Sequence, residues 1–329
     1  MNRILSVHAG IFILAAAMLA LELALTRLFS VAQWYHFAFM AVGVALLGFG
    51  ASGSILALFP APAERDIRAR LALGAGLFAS AVLGSYLLAN NIPFDPFRLA
   101  WEWQQFVHMA VYYLCLATPF FFVGLVVGGA LAAFPHAAGG LYASNLMGSG
   151  LGCLVALVTP GIFGGVGPIL FSSLMGLVAM LFFSWHRSRL LTTIAILGAV
   201  GVLPLLVLQL PWLEIQMSPY KSLMQALRHS EARLLWSGWN AFSRVDVVDS
   251  PGMHMTPGLS FAYHGPTPPQ IGLSVDGENL SPITRSKPAQ AAFTRYLPTA
   301  LAYHLVDRPS VLLIEPQGGL DVLTALHHD

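Results

Sequence analysis

Long apolar runs fill the first 210 residues of the chain. Each run is about as long as the roughly 20 residues that an α-helix needs to cross a membrane. We count seven runs, at residues 4–30, 34–60, 69–90, 105–134, 138–159, 161–184 and 189–210. The pattern predicts an α-helical polytopic membrane domain of about seven spans over residues 1–210. Its least regular part is 141–184, where Pro160 and several glycines interrupt the run.

The pattern changes near residue 211. Leucine, methionine and alanine at helical spacing predict a short amphipathic helix over residues 220–236. Alternating segments bounded by proline and glycine then predict a small antiparallel β-unit. Its strands are expected at Ser243–Asp249, Leu259–Tyr263 and Ile271–Val275. We therefore expect a small, mostly β domain over residues 211–288.

The C-terminal residues, 289–329, are typical of the start of a Rossmann-like α/β domain. A helical pattern spans residues 289–305, and Ser310–Ile314 is an apolar run of strand length. A glycine-containing turn follows, and then Val322–Leu326 begins a helix. Strand, glycine turn and helix in this order open a doubly wound α/β fold. Because one strand and one helix cannot build such a sheet, we expect the sequence to be part of a longer protein; a decayed domain is the alternative.

The turn between this strand and helix is a candidate ligand site. Gly318 and Gly319 would let a ligand approach backbone N–H groups at the start of a helix. Asp321 is placed to cap that helix. The alternative for the two glycines is a plain turn between strand and helix.

Composition agrees with a membrane protein. Hydrophobic residues make up 57% of the chain and charged residues only 9%, whereas an average soluble domain has roughly 25% charged residues. A purely soluble enzyme and a disordered chain are therefore poor interpretations. The net charge of +1 also argues against nucleic-acid binding, which needs clustered Lys and Arg. Cys115 and Cys153 lie in apolar runs and are expected to be core residues rather than a disulfide or metal ligands.

Polar residues inside the predicted spans are candidate functional groups. Glu22 lies at membrane depth, where an ionisable group is costly and usually faces a partner or a cavity. Its alternatives are a binding role and a buried structural hydrogen bond. Arg27 can extend its side chain to the membrane interface. Asn145 and His108 are expected to form hydrogen bonds between helices.

Glycines spaced four apart predict close helix contacts or, alternatively, a substrate path through the membrane. Three such pairs occur: Gly124 with Gly128, Gly148 with Gly152, and Gly161 with Gly165.

Arginines predict which ends of the spans face the cytoplasm. With the N-terminus inside, Arg3, the Arg65–Arg70 cluster and the pair Arg187 and Arg189 all fall on the cytoplasmic side. Seven spans then place the C-terminal part outside, which conflicts with use of a cytosolic cofactor. The side of the C-terminal domain stays open at this point.

Several segments resemble one family in the same order. LALELALTRLFS, WYHFAFMAVGVALLGFGASG and LYASNLMGSGLG resemble the membrane domain of bacterial membrane-bound spermidine synthase-like proteins. LSVDGE and VLLIEPQGGLDVLTAL are similar to the N-terminal β-domain and first Rossmann strand of polyamine aminopropyltransferases. The resemblance implies a multi-pass protein of the bacterial cell (inner) membrane.

The resemblance also implies a function. Such enzymes transfer an aminopropyl group from decarboxylated S-adenosylmethionine to a diamine, without a metal, and bind the polyamine through acidic side chains. By match to the motifs, Gly318, Gly319 and Asp321 would lie near the nucleoside cofactor, as would Asp276 and Gly277, whose alternative role is a hairpin turn. The catalytic Asp of the family would lie outside this sequence, so no catalytic residue is expected within it.

The sequence departs from the family pattern at the glycine turn. A G-x-G-x-G turn would have its first two glycines at Glu315 and Gln317, and only Gly319 fits the third. The Tyr-His-Glu run that precedes the Rossmann strand in the family is replaced by Ala292–Arg295, and Glu278–Asn279 stands where a Gln is expected. Two alternatives to aminopropyl transfer therefore stay open: a membrane protein that transports or binds a polyamine or another small cation, and a scaffold with a degenerate catalytic domain.

Overall fold

The computed structural model describes residues 3–59, 64–208, 210–306 and 309–328. Contacts divide the chain into two compact units. The first, the membrane unit, comprises residues 1–216 and 239–242; the second, the extramembrane unit, comprises residues 217–238 and 243–329.

Seven long apolar helices form the membrane unit, as predicted. Each is long and apolar enough to cross a membrane, and no other helix among the described residues meets both conditions. They are α1 (Arg3–Ala32), α2 (Met40–Leu58), α3 (Glu64–Asn91), α4 (Gln104–Ala133), α5 (Ala138–Phe163), α6 (Gly167–Ser184) and α7 (Arg189–Leu208). The chain is therefore a multi-pass membrane protein that contacts the lipid bilayer.

Pro160 does not end the fifth span. It lies inside α5, and the break comes at Gly164, whose φ of 74° is in the left-handed region that favours glycine. The predicted border between the fifth and sixth runs, at residues 159–161, is therefore wrong by a few residues. Membrane helices tolerate an internal proline where neighbouring groups satisfy the freed backbone.

Helix α6 forms the interior of the membrane unit. The most apolar 18-residue stretch of α6 is 72% buried, whereas that of α7 is only 17% buried. Helix α6 packs on α1, α3 and α7. Small residues allow this close packing, and the Ser173 hydroxyl donates a hydrogen bond to the Ala79 carbonyl of α3 at 2.9 Å. Exposed leucine, isoleucine and valine side chains of α7 face outward, as expected for a lipid-facing helix.

The second glycine pair joins α1 to α5. A Cβ atom on Gly148 would collide with the Phe12 carbonyl, and one on Gly152 would lie 2.5 Å from the Ala16 carbonyl oxygen. Both partners advance along α1 by the same four residues, so α1 and α5 run parallel. The prediction of a helix-packing pair is confirmed here.

The other two pairs differ from each other. Gly124 and Gly128 face Ser52 and Leu56 of α2, so this pair also packs helices together. Gly165, however, lies beyond the end of α5 at Phe163. The predicted pair Gly161 and Gly165 therefore does not share one helix face.

Basic residues share one end of the membrane unit. The Arg68 guanidinium donates hydrogen bonds to the carbonyls of Phe182 and Trp185, at 3.4 and 3.3 Å. The start of α3 therefore lies beside the end of α6, near Arg187 and Arg189. The side chains of Arg3 and Arg65 lie outside the described part of the chain.

The extramembrane unit contains a four-stranded antiparallel sheet of order β1-β2-β3-β4. Its strands are β1 (Arg233–Trp239), β2 (Arg244–Asp249), β3 (Gln270–Val275) and β4 (Glu278–Thr284). The predicted strands at 243–249 and 271–275 are thus confirmed as β2 and β3. Pro282 in β4 is tolerated because β4 is an edge strand, where one face of the backbone needs no partner.

Short helices complete the unit: α8 (Ser222–Ala226), α9 (Ala300–Leu305) and α10 (Leu320–His327). The predicted helix over 220–236 is wrong beyond Ala226, because residues from Arg233 onward extend along the sheet as β1. The predicted helix over 289–305 is likewise broken into two short 3-10 turns and α9.

Two predicted strands do not form. Leu259–Tyr263 is a pair of turns, in which the Tyr263 amide donates to the Ser260 carbonyl; Leu259 and Tyr263 pack on the core of Ala291, Phe293, Leu297 and Leu323. Ser310–Ile314 pairs with no strand in the described residues, and Leu312 and Ile314 are exposed. The strand that would begin a Rossmann-like domain is therefore not formed, and that domain stays a prediction.

Substitution of Gly148 by Val tests the α1–α5 contact. Because the added side chain meets the α1 backbone, which cannot move aside, we expect a loss of stability of about 1–3 kcal/mol. The matched control is Gly150→Val on the same helix, where a Cβ meets nothing within 4 Å. Thermal unfolding of the detergent-solubilised protein should separate the two variants; equal losses would show that α1 and α5 do not meet at Gly148.

Candidate functional site

Asp276 and Gly277 form a tight hairpin turn between β3 and β4. Val275 pairs directly with Glu278, so the loop has only two residues. Both residues have positive φ, 52° for Asp276 and 75° for Gly277. Two central residues of positive φ are what a type I′ hairpin turn requires, and Asp-Gly is a preferred pair for it. The backbone of Asp276 and Gly277 is therefore that of a hairpin turn, which was the alternative to a cofactor-binding role for these two residues.

A buried lysine side chain contacts the backbone of this turn. The Lys221 side chain is fully buried, and its ammonium donates a hydrogen bond to the Asp276 carbonyl at 2.8 Å. The nearest Glu278 carboxylate oxygen lies 3.9 Å from the Lys221 nitrogen. Burial lowers the pKa of Lys221, while the charges of Glu278 and Asp276 act in the opposite direction. The turn thus supplies the groups that keep a buried ammonium in place.

The Asp276 side chain is also used within the fold. Its carboxylate accepts a hydrogen bond from the Arg244 amide at 2.8 Å. Arg244 in turn forms an ion pair with the buried Asp246 carboxylate, at 2.9 Å. Asp276 therefore joins the hairpin to β2.

A bulge follows the turn. The pairing of β3 and β4 shifts between Leu273 and Val275, and Asn279 has a φ of 49°. A non-glycine residue in the left-handed region is strained, and bulges commonly redirect a neighbouring side chain. Asn279 and the adjacent Glu278 both line the same cleft.

The cleft lies between α8, the bulge and the loop after β2, and has a volume of about 440 Å³. Its polar wall consists of Ser222, Gln225, His229, Ser250, Glu278 and Asn279. Its apolar wall includes Met253, Met255 and Leu280. A concave site with an apolar side and a few convergent polar groups is the usual form of a small-molecule site.

Glu278 is the one carboxylate among the residues that line the cleft. One of its oxygens accepts a hydrogen bond from the Ser222 hydroxyl at 3.2 Å. The side chain keeps 30% of its surface exposed. Glu278 can therefore present negative charge to a bound ligand while the fold holds its position.

The second predicted site, the turn before α10, has an unusual backbone. Glu315, Gln317 and Gly319 all have positive φ, of 54°, 46° and 84°. These are the three positions that correspond to glycines in a G-x-G-x-G turn. The chain thus adopts a conformation that favours glycine at two exposed residues that are not glycine.

Gly318 is required by a close contact within the fold. A Cβ atom there would collide with the Pro282 carbonyl of β4. Gly319 has open space around it and is the N-cap of α10, while Asp321 is the second residue of the helix and caps nothing. The predicted capping role of Asp321 is therefore wrong.

The structure does not bring the two predicted parts of a cofactor site together. Gly318 contacts β4 at Pro282, five residues along the strand from Gly277. At about 3.3 Å per residue, this contact lies about 17 Å from the hairpin turn.

The intramembrane candidates are also separate. Glu22 is half-buried in α1, and it has no hydrogen-bond or ion-pair partner among the described residues. Since Gly148 lies level with Phe12, Asn145 lies level with Ala9, about 20 Å along the helix axis from Glu22. Arg27 is half-buried and does have a partner. His108 is half-buried, and its Nδ1 atom is buried without a hydrogen bond.

The sequence analysis predicted neither Lys221 nor any of the polar residues that line the cleft as site residues; the latter are Ser222, Gln225, His229, Ser250, Glu278 and Asn279. Ser222 and His229 lie in a stretch that has an ordinary amphipathic pattern. Glu278 stands out in the sequence only as a departure from the family motif. The one available signal was Asp-Gly at a hairpin, which marks the turn but does not indicate which side chains converge near it.

The comparisons with known proteins add no further assignment. No family model, curated protein or solved structure matches this chain. No group of three His, Cys, Asp or Glu side chains among the described residues is arranged to hold a metal ion. The family suggested by the sequence resemblance therefore stays a prediction.

Glycine substitutions in the second turn test its strain. A non-glycine residue in the left-handed region costs roughly 1–2 kcal/mol, and glycine adds an entropy cost of about 0.5–1 kcal/mol. We therefore expect Glu315→Gly and Gln317→Gly each to stabilise the extramembrane unit by about 0.5–1 kcal/mol. Glu315→Ala is the control, since it removes the charge but keeps the strain. Chemical unfolding of the full chain measures the effect, and an equal gain from alanine would exclude backbone strain as the cause.

Proposed function

We propose that the protein is a spermidine synthase-like membrane protein whose extramembrane unit binds a small organic amine in the Glu278 cleft. The observation that carries the proposal is the partly exposed Glu278 carboxylate, held by Ser222 at one edge of a cleft with an apolar wall. A carboxylate is the natural acceptor for a charged amine. The methionine and leucine side chains opposite suit the methylene chain of a diamine or polyamine.

The charges around the cleft favour a cation. Lys221 contributes one positive charge, and Asp276 and Glu278 contribute two negative charges, so the group has a net charge of −1. The Lys221 ammonium is fully buried and already donates to Asp276, so it is not available to a ligand. Among the residues that line the cleft, an amine therefore meets one carboxylate, Glu278.

Amine binding is consistent with the aminopropyl transfer that the sequence resemblance implies. In that reaction the amine nitrogen forms a new C–N bond, the C–S bond of the sulfonium breaks, and the amine loses a proton. Decarboxylated S-adenosylmethionine would supply the aminopropyl group, and no metal is involved. We propose the turn at Gly318 and Gly319 as the contact region for its nucleoside, with Gly319 as the residue that has open space beside it, because Gly318 packs on the Pro282 carbonyl. The proposed location is the bacterial inner membrane.

Binding of 1,4-diaminobutane tests the proposal. Titration calorimetry of the full chain in detergent should detect diaminobutane but not 1,4-butanediol, which has the same length and no charge. Glu278→Gln should weaken binding by at least about tenfold, because it removes the charge and keeps a side chain of the same size. Since this carboxylate also lies 3.9 Å from the buried Lys221 ammonium, the comparison requires that thermal unfolding show the variant to be folded. Glu231→Gln, an exposed acid of the same unit outside the cleft, should have no effect. Equal affinity for the diol, or unchanged affinity in Glu278→Gln, would contradict the proposal.

A second candidate function is transport of a polyamine or another small cation, and Glu22 favours it. Glu22 lies in the middle of α1 without a partner among the described residues, and such groups commonly mark ion or substrate paths.

Uptake of labelled diaminobutane into vesicles separates the two candidates. If the protein is a transporter, the wild type should take up labelled diaminobutane and Glu22→Gln should reduce that uptake. If it binds an amine in the cleft, Glu278→Gln should weaken diaminobutane binding and Glu22→Gln should not. Absence of uptake by the wild-type protein would remove the second candidate.

A further inference from the structure

Three histidine rings meet where α9 packs against the end of α10. The His328 ring stacks on Tyr303 with centroids 5.2 Å apart and planes 5° from parallel. The rings of His304 and His327 lie 5.4 and 5.5 Å from it, nearly perpendicular to it. We call His304, His327 and His328, together with Tyr303, the ring cluster. It lies outside both the cleft and the turn before α10.

The contacts of the ring cluster favour the neutral form of its imidazoles. The Nδ1 atom of His327 hydrogen bonds to the Pro288 carbonyl at 2.6 Å, which makes Nδ1 the protonated nitrogen of this ring. The Nε2 atoms of His327 and His328 are buried and have no hydrogen-bond partner among the described residues. A proton on the His328 Nε2 atom would therefore have no acceptor among the described residues, which is unfavourable.

The charged neighbours of the cluster increase this cost. His304 faces His328 from α9, Arg295 faces it from the 3-10 turn at Ala292–Tyr296, and His327 faces it from α10 itself. All three are cations or can become cations. Burial first, and then these neighbours, lower the pKa of His328.

Among residues 3–59, 64–208, 210–306 and 309–328, no three His, Cys, Asp or Glu side chains are arranged to hold a metal ion. Imidazole is the side chain whose ordinary pKa lies near neutral pH, so protonation is a reaction available to these three rings.

We propose that the ring cluster is a pH-sensitive latch that holds α10 against α9 while its histidines are neutral and releases it on acidification. The sign follows from linkage. A histidine whose pKa is lower in the packed state takes up its proton more readily when the helix is released. The contribution of the latch is therefore complete above the ordinary histidine pKa of about 6.5 and is lost as the pH falls below it.

Release would act on the turn before α10. That turn is held at one end by the contact of Gly318 with β4 and at the other by α10, whose Leu323 amide donates to the Gly319 carbonyl at 2.9 Å. Loss of α10 packing would free residues 315–319 to relax from their left-handed backbone. The latch thus couples the surrounding pH to the conformation of this turn, independently of whether the cleft binds an amine.

Hydrogen exchange of the full chain in detergent tests the latch. After correction for the intrinsic rate, amides of residues 320–328 should lose protection between pH 7.5 and pH 5.5, while amides of β3 should keep theirs. His328→Phe keeps a stacking ring but cannot be protonated, so the loss should disappear. His254→Gln, an exposed histidine of the same unit, should behave as wild type.

A second variant guards against misfolding of His328→Phe. His304→Gln removes a facing cation from the exposed side of the cluster, so the pH at which protection is lost should shift downward. Unchanged protection in the wild type at pH 5.5, or the same loss in both His328→Phe and the wild type, would overturn the proposal.

Discussion

The extramembrane unit depends on the burial of one ammonium group. Lys221 is fully enclosed, and an unpaired charge in such a position costs several kcal/mol. The hydrogen bond to the Asp276 carbonyl and the Glu278 carboxylate 3.9 Å away help to offset this cost. These two groups are on either side of Gly277, so the position of the lysine and the shape of the hairpin determine each other. Glu278 is the member of this group that also lines the cleft.

Strained backbone is concentrated at the two turns of this unit. Asp276, Asn279, Glu315 and Gln317 all have φ values between 46° and 54°, although none is glycine. Strain of this kind persists only where surrounding contacts over-determine the conformation. At the hairpin those contacts come from Lys221 and β2. At the second turn they come from β4 and α10.

The membrane helices could be predicted from the sequence because hydrophobic run length is a local property, and lipid imposes it on each helix separately. The Asp-Gly hairpin was also visible, since a two-residue turn depends on its own residues. The predicted strand at Ser310–Ile314 did not form, because an apolar run of this length becomes a strand only when partner strands pair with it. Likewise, Lys221 and Glu278 are 57 residues apart in sequence, and only the fold shows that they are neighbours.

The parallel contact of α1 with α5 has a consequence for the order of synthesis. α1 leaves the ribosome before α5 and α6, which are its main packing partners, and α5 begins only at Ala138. Until α5 is made, the surface of α1 that packs on Gly148 and Gly152 lacks its final partner. Insertion of this protein therefore includes a stage in which α1 is already synthesised and its two main neighbours are not.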